Sequence, residues 1–191
     1  HNSPRRQRQM CIRDRSEGVL GILSEATLKI LPLNNSVKTF EITFETLKNA
    51  SDMIIMLMTQ PITPYKLEFV DEQSVKLINS IKKNHFEINT KSAVLLEIDG
   101  DVDFIDIQSK KLLKLMQSKE HKKITIAENK TEIAELWKAR KSLSPALKEI
   151  GGYKINEDIA VPISNLTRLL NNLSAISKKY GAVSYTHLTL P

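Results

Sequence analysis

Apolar residues between positions 37 and 180 change their spacing repeatedly along the chain. Alternation of every second residue is typical of half-buried strands, and a period of about 3.6 is typical of amphipathic helices. The two patterns alternate here, which favours an α+β fold with helices packed on one face of an antiparallel sheet. Five strands and five helices in this order suggest two ferredoxin-like halves. The predicted strands are 37–44, 65–70, 93–98, 123–127 and 154–161, and the predicted helices are 46–59, 72–83, 104–118, 131–150 (interrupted near Pro145) and 164–180.

The two ends of the chain differ in character from the rest of it. Residues 5–14 match the translation of a common transposase sequencing adapter, and residues 183–191 match the same oligonucleotide read on the opposite strand. We therefore interpret residues 1–15 and 182–191 as adapter-derived, and we leave both out of the fold prediction. The alternative for residues 1–15 is a basic arm that binds nucleic acid.

Composition narrows the function classes once the ends are set aside. Of the 28 basic and 22 acidic residues, five basic and one acidic lie in residues 1–15, so residues 16–181 carry 23 and 21. This near balance gives no support to a nucleic-acid-binding surface. The single cysteine, Cys11, lies in the excluded segment, so no disulfide, thiol nucleophile or cysteine-bound metal is predicted. No apolar run is long enough to span a bilayer.

Two glycines, Gly18 and Gly21, lie just before an alternating, β-prone run that ends at Pro32. Glycines at such a position usually mark backbone that passes close to a bulky group, because a Cβ atom there would collide with it. A plain β-turn before a strand is the simpler alternative. The whole segment reads Glu-Gly-Val-Leu-Gly-Ile-Leu-Ser-Glu-Ala-Thr-Leu-Lys-Ile-Leu-Pro from Glu17 to Pro32.

This segment closely resembles the Glu-Gly-Thr-Leu-Gly-Ile-(Ile/Val)-Thr-Glu-Ala-Thr-Leu-Lys-Leu signature of FAD-linked oxidases (FAD-binding type 4, vanillyl-alcohol-oxidase-like). The similar branch contains glycolate oxidase flavoprotein subunits and D-lactate dehydrogenases. The resemblance implies that residues 16–33 are the C-terminal edge of an FAD-binding domain, including its last strand. It also implies that residues 34–181 are an incomplete ferredoxin-like cap, or substrate, domain covered by helices.

The same resemblance implies that FAD is the cofactor. It assigns the flavin contacts to the loop residues Glu17, Gly18, Val19, Gly21 and Ile22. Val19 stands where the family commonly has threonine. A hydroxyl contact at that position would therefore be lost, whereas contacts made by the backbone would remain.

A second candidate site lies on the predicted helix 131–150, where Arg140 falls within an apolar stripe. At helical spacing one broad face holds Ile133, Leu136, Trp137, Arg140, Ser144 and Leu147. The planar guanidinium suits a bidentate contact with a carboxylate, and the Ser144 hydroxyl, one turn on, could donate to the same ligand. The alternative is that the Arg140 stem passes Trp137 to reach solvent, Glu132 or Glu135.

The stretch Leu-Trp-Lys-Ala-Arg that ends at Arg140 resembles the family's Leu-Trp-x-x-Arg helix. In relatives such as D-2-hydroxyglutarate dehydrogenase this arginine binds the substrate carboxylate, assisted by a hydroxyl residue four positions later. The resemblance therefore implies that Arg140 and Ser144 bind substrate. Residues 154–162 resemble a family strand that has a lysine near the substrate, which implies the same role for Lys154.

Other polar residues favour structural roles. The acidic run 99–106 does not fit a calcium loop, because Phe104 and Lys110 occupy its glycine and glutamate positions. Asp101 or Asp103 is instead expected to cap the helix that follows. His85 and His121 are expected to be solvated loop residues. We predict no metal site and no catalytic side chain in this chain.

The prediction is a fragment of an FAD-dependent 2-hydroxyacid dehydrogenase or oxidase of the glycolate or D-lactate type. Such an enzyme acts on a CH–OH donor and transfers hydride from substrate C2 to FAD. The family's Phe-Gly-His-x-Gly-Asp-Gly-Asn-Leu-His motif is not in the sequence, so the fragment itself is expected to be inactive. The alternatives are a stand-alone ferredoxin-like ligand-binding module and a flavoenzyme similar to alkyl-dihydroxyacetone-phosphate synthase.

The same interpretation sets expectations for partners and location. We expect a small 2-hydroxy acid as substrate and an electron acceptor or partner subunits. We expect no nucleic acid and no transmembrane segment. The expected location is cytoplasmic, or peripheral at the inner face of the membrane.

Overall fold

The computed structural model describes residues 19–22, 24–27, 36–83, 85–150, 159 and 161–190. The chain divides into two compact units, residues 1–33 and residues 34–191. In the first unit the described residues are exposed and lie in no strand, although the alternating pattern from Ile22 onward predicts one. A strand is stable only where neighbouring backbone pairs with its N–H and C=O groups, and alternation alone does not supply that backbone.

The second unit holds the regular structure. Its described strands are β1 (Ser36–Phe44), β2 (Lys66–Val70), β3 (Ser92–Gly100), β4 (Lys123–Ala127) and β5 (His187–Leu190). Its described helices are α1 (Leu47–Thr59), α2 (Glu72–Ile81), α3 (Val102–Gln117), α4 (Lys130–Lys141), α5 (Leu143–Glu149) and α6 (Leu166–Tyr180), with a 3₁₀ turn at Ile163–Asn165. Four of the five predicted strands match β1 to β4. The fifth, 154–161, lies mostly outside the described residues.

The strands form one sheet in the order β4-β1-β3-β2-β5, and every neighbouring pair is antiparallel. The first four strands thus have the 4-1-3-2 order of a ferredoxin-like sheet, in which two split β-α-β units interlock. Helix α1 links β1 to β2, and α3 links β3 to β4. The α+β, ferredoxin-like prediction is confirmed. The prediction of two ferredoxin-like halves is wrong for the described residues, which form a single such sheet.

Helices cover both faces of this sheet. The first face is mainly apolar and packs against α1, α3 and α6. Its side chains include Phe40, Ile42, Phe69 and Leu96, none of which is accessible to solvent. Full burial of each such side chain contributes about 1.5–3 kcal/mol to stability. The second face packs against α2, α4 and α5. The prediction that helices cover one face only is therefore wrong, because three helices outside the two β-α-β units pack on the other side.

We call the second side of the sheet the mixed face, because it carries both apolar and charged side chains. Val70, Ala93 and Leu95 are buried there, and so are Thr39, Glu41, Thr43 and Glu97. Period-two alternation places these residues on the side opposite to Phe40 and Leu96. Charged groups on a face that helices cover require partners, since an unpaired buried charge is costly.

Helix ends follow the local sequence. The Thr46 hydroxyl accepts a hydrogen bond from the backbone N–H of Asn49 at 3.2 Å, which fixes the start of α1. Asp101 caps α3 by accepting from the N–H of Asp103 at 3.0 Å, as predicted for the acidic run. Gly181 ends α6 with φ of +63°, a left-handed conformation that glycine adopts without strain.

Strand β5 pairs with β2 over residues 187–190. These residues lie within the segment predicted to be adapter-derived. The unpaired edge of a strand can accept an extended backbone of almost any sequence, so this pairing is independent of the segment's origin. The domain boundaries at residues 15, 33 and 181 stay predictions.

Candidate functional site

The candidate site lies on the mixed face, where α4 packs over β1, β2 and β3. Asn129 fixes the start of α4, since its side-chain oxygen accepts from the N–H of Glu132 at 2.9 Å. From that start, Trp137 and Arg140 lie one turn apart and face the sheet. Trp137 is buried, with 9% of its surface exposed. Arg140 is half-buried.

Glu97 is the centre of a buried polar network beneath Trp137. The indole Nε1 of Trp137 donates to Glu97 Oε2 at 2.6 Å, and the Thr39 hydroxyl donates to the same oxygen at 3.1 Å. The other carboxylate oxygen pairs with Lys66 Nζ at 2.5 Å. Thr39 and Lys66 lie directly opposite Glu97 on the two neighbouring strands, so the register of the sheet assembles this network.

The Lys66 ammonium also lies beside two aromatic rings. Its Nζ is 4.8 Å from the centroid of the Tyr65 ring and 5.3 Å from that of the Trp137 ring. Both distances are within the range of a cation–π interaction. Lys66 is therefore held in place by one carboxylate and two ring faces, although nearly half of its side chain remains in solvent.

Arg140 pairs with Glu68 of β2 through its Nε atom. The two side chains are 15% and 13% exposed, so the ion pair is largely removed from solvent. Neither carboxylate that the sequence suggested as a local partner takes this role. Glu135 pairs with Lys82 at 2.7 Å, and Glu132 accepts from the backbone N–H of Glu128 at 3.1 Å. In each case the contact holds the pKa of the glutamate below its usual value.

An open groove of about 890 Å³ lies along α4 at this end of the mixed face. Its charged lining residues are Glu68, Glu97, Glu128, Lys66, Lys130, Lys138 and Lys141, and Trp137 is its aromatic lining residue. Trp137 gives the groove an apolar wall, and the lysines place positive charge at its rim. With four lysines and three glutamates in its lining, the groove can accommodate a small anion where the lysines contact it.

The structure brings together only some of the predicted site residues. Ser144 lies on α5, beyond a break in the helix at Ser142, and it is exposed. Its functional role stays a prediction. Lys154, Glu17 and Gly18 lie outside the described residues.

The predicted flavin loop is exposed where it is described. Val19 and Ile22 are 85% and 94% exposed, and a Cβ atom added to Gly21 would meet no atom within 4 Å. The backbone at Gly21 is thus accessible to an external group.

Two further predictions concern histidine and metal. The expectation that His85 is a solvated loop residue is wrong: its Nε2 lies 2.8 Å from Glu41 Oε2, and both side chains are at most 10% exposed. The Phe86 ring packs against the imidazole in a T-shaped arrangement, with 4.5 Å between centroids. Within the described ranges, no group of three histidine, cysteine, aspartate or glutamate residues is arranged to hold a metal ion.

Sequence reasoning missed Glu68, Glu97, Thr39 and Lys66. They lie 40 or more residues from Trp137 and Arg140, so the spacing within α4 gives no sign of them. The available signal was the presence of glutamate inside two strands with buried apolar neighbours. In the part of the chain that the structure describes, no helix has the length and apolar character needed to cross a membrane.

Comparison with known proteins places this geometry in a family. Residues 33–189 match the family model "FAD linked oxidases, C-terminal domain". The chain is 27% identical over 165 residues to glycolate oxidase subunit GlcD of Bacillus subtilis, an alignment that covers 86% of this chain and 35% of that protein. It is 28% identical over 159 residues to the mitochondrial D-lactate dehydrogenase [cytochrome] of Arabidopsis thaliana, covering 82% and 28% of the two chains.

The fold is also similar to a solved structure of alkyldihydroxyacetonephosphate synthase. The TM-score is 0.60 at 17% sequence identity, over 91% of this chain and 37% of the other. The chain spans about a third of the length of these relatives. On the evidence of the family match and the ferredoxin-like sheet, the chain belongs to the family of FAD-linked oxidase C-terminal domains.

Proposed function

We propose that this chain is the substrate-side part of an FAD-dependent 2-hydroxyacid dehydrogenase or oxidase of the glycolate or D-lactate type. The family match and the similarity to a glycolate oxidase subunit and a D-lactate dehydrogenase support the assignment. The observation that carries it is Arg140, an arginine held at the mixed face by Glu68, and Glu68 is one of the residues that line the open groove.

Arg140 is the proposed ligand of the substrate carboxylate. A guanidinium carries five N–H donors, and a planar pair of them matches a carboxylate. The one hydrogen bond that Arg140 forms with described residues uses Nε and leaves the Nη1 and Nη2 donors for a ligand. Ser144 and Lys154 are proposed to assist, on the strength of the family resemblance alone.

The proposed cofactor contacts are made by the loop that contains Val19, Gly21 and Ile22. The exposed apolar side chains beside an open glycine backbone fit contact with a large planar group. FAD, when bound, supplies the hydride acceptor for substrate C2. The part of this chain is to bind and orient the carboxylate end of the substrate. We propose that residues 16–181 alone are inactive and retain no flavin, so stoichiometric flavin absorbance in the purified chain would contradict this part.

The test of Arg140 is a glycolate titration of the 191-residue chain. Trp137 is the single tryptophan, and it lines the groove, so its fluorescence reports a ligand bound there. We expect a saturable change with glycolate and with D-lactate that is absent in R140Q. R168Q is the matched control, because Arg168 is an exposed arginine on α6. Equal responses of R140Q and the unchanged chain would refute the proposed role of Arg140.

A stand-alone ferredoxin-like ligand-binding module is the second candidate. It is favoured by the observation that residues 34–191 form a compact unit with their own buried core. This function requires no carboxylate ligand at Arg140, and it predicts that R140Q leaves every activity of the parent protein unchanged. The similarity to alkyldihydroxyacetonephosphate synthase supports the fold only.

The setting of the parent enzyme is part of the proposal. We place it in the cytoplasm, with peripheral attachment at the inner membrane face as the alternative, and we expect partner subunits or an electron acceptor. One relative is itself named a subunit, which supports the expectation of a partner. We also propose that residues 1–15 and 182–191 are adapter-derived, and sequencing the parent gene would test this directly.

A further inference from the structure

The contact between Glu68 and Arg140 joins a strand to a helix across 72 residues of sequence. Glu68 lies on β2 between Leu67 and Phe69, two side chains with no solvent exposure. Both of these anchor the strand in the apolar core, so the Glu68 backbone is fixed. A carboxylate on such a strand is a rigid reference point for any group that it binds.

We propose that Glu68 is the positioning residue of Arg140: it orients the guanidinium through Nε so that the Nη1 and Nη2 donors are held ready for a ligand carboxylate. The inference rests on the proposed function, in which Arg140 binds the substrate carboxylate. It adds a residue of β2 to the binding machinery.

The geometry of the pair supports this role. A carboxylate that binds a guanidinium at Nε occupies its side and leaves the end that carries Nη1 and Nη2 free. With Glu68 in place, the flexible arginine chain is confined to one orientation before the ligand arrives. Immobilising a side chain in advance removes an entropic cost of about 0.5–1.5 kcal/mol from binding. This corresponds to a factor of about 2 to 13 in the dissociation constant.

A purely electrostatic role for Glu68 is the competing explanation. Its negative charge balances Arg140 in a poorly solvated site and also repels an incoming carboxylate. Removal of the charge alone should therefore strengthen anion binding, whereas removal of the hydrogen bond should weaken it. Comparison of E68Q with E68M separates the two effects. Both variants lack the charge and have similar length, but glutamine offers Arg140 Nε–H a carbonyl oxygen, whereas methionine offers only a weakly accepting sulfur.

The experiment uses the 191-residue chain, with glycolate as the probe and the neutral amide of glycolic acid as the control ligand. Trp137 fluorescence gives the dissociation constant, and the Arg140 Nε–H signal in proton–nitrogen NMR reports the hydrogen bond. We expect E68M to bind glycolate about threefold to tenfold more weakly than E68Q. We also expect the Arg140 Nε–H of E68M to exchange with water at least about tenfold faster.

The matched control is E135Q, which removes an exposed carboxylate from α4, the helix that carries Arg140. Its glycolate affinity should equal that of the unchanged chain. E68A is a second variant without an acceptor, and it replaces E68M if the methionine disturbs packing. It should resemble E68M in both measurements.

The outcomes distinguish the inference from the proposed function. Equal glycolate affinity of E68Q and E68M, with binding abolished in R140Q, would overturn the positioning role and leave the proposed function standing. Binding that is unaffected by R140Q, or no saturable response in the unchanged chain, would overturn both. Weaker binding in E68M and E68A, with recovery in E68Q, would support the positioning role.

Discussion

Replacement of Glu97 by alanine should be among the most destabilising single changes on the mixed face. Glu97 is 3% exposed, and it accepts hydrogen bonds from Trp137 Nε1 at 2.6 Å and from the Thr39 hydroxyl at 3.1 Å. In E97A both donors, which belong to buried side chains, lose their acceptor. We therefore expect the free energy of unfolding to fall sharply.

The magnitude follows from these contacts. Each buried donor that loses its partner costs about 1–3 kcal/mol, and the lost methylene burial adds about 0.8 kcal/mol. The Lys66 ammonium, on a side chain that is 46% exposed, regains water, so its ion pair contributes less than about 1 kcal/mol. E97A should thus cost about 3–7 kcal/mol. E97Q keeps an oxygen that accepts from both donors, and it should cost about 1 kcal/mol.

Urea unfolding measures the difference in unfolding free energy between E97A and E97Q. The transition is monitored by Trp137 fluorescence and, independently, by far-ultraviolet circular dichroism. Coincident transitions from the two probes would justify a two-state free energy. E149Q is the control, because Glu149 is exposed at the end of α5 and its change should stay within about 0.5 kcal/mol. If E97A and E97Q differ by less than about 1 kcal/mol, the assigned hydrogen bonds do not stabilise the fold as argued.

Two further predictions concern charge and backbone. Hydrogen bonds from Lys76 and then Lys91 hold the pKa of Glu72 below its usual value of 4.5. The stability that these contacts give is present above pH 4.5 and is lost as the pH falls through the folded-state pKa. In urea titrations the difference in unfolding free energy between the unchanged chain and E72Q should therefore shrink from pH 6 to pH 3. A difference that does not change with pH would contradict the pairing. G181A places a Cβ atom at φ of +63° and should lower the free energy of unfolding by about 1–2 kcal/mol. Calorimetry should then show a fall in Tm of roughly 2–8 °C, and an unchanged Tm would argue against this helix end.

Much of the fold could be predicted because it depends on local patterns. The alternation that predicts strand 37–44 corresponds to β1, and the helical spacing that predicts 46–59 corresponds to α1 with Thr46 as its cap. The ends of elements could be read from capping residues such as Asp101 and Gly181. The coverage of both faces was missed, although β3 contains the unbroken apolar run 93–96, which is typical of a strand buried on both sides.

Long-range pairing accounts for what was missed in the site. Arg140 was identified from its place in an apolar stripe, but its partner Glu68 depends on where α4 packs. The polar turn around His85 predicts a solvated side chain, yet the carboxylate that it contacts, Glu41, lies 44 residues away on β1. A residue's sequence neighbours set its local conformation, whereas its burial depends on what the rest of the chain places above it.

The need to pair the buried carboxylates of the mixed face predicts that α4 packs there. Glu68 and Glu97 alternate with apolar residues within strands, so each must be covered by a cation or a donor if that face is buried. Lys66 lies opposite Glu97 on the neighbouring strand and can serve one of them. Glu68 then requires a cation from a helix, and α4 offers Arg140 on the same stripe as Trp137, whose N–H suits Glu97. An apolar helix on this face would leave Glu68 and Glu97 buried without partners. The face is therefore covered best by α4, which carries an arginine and a tryptophan one turn apart.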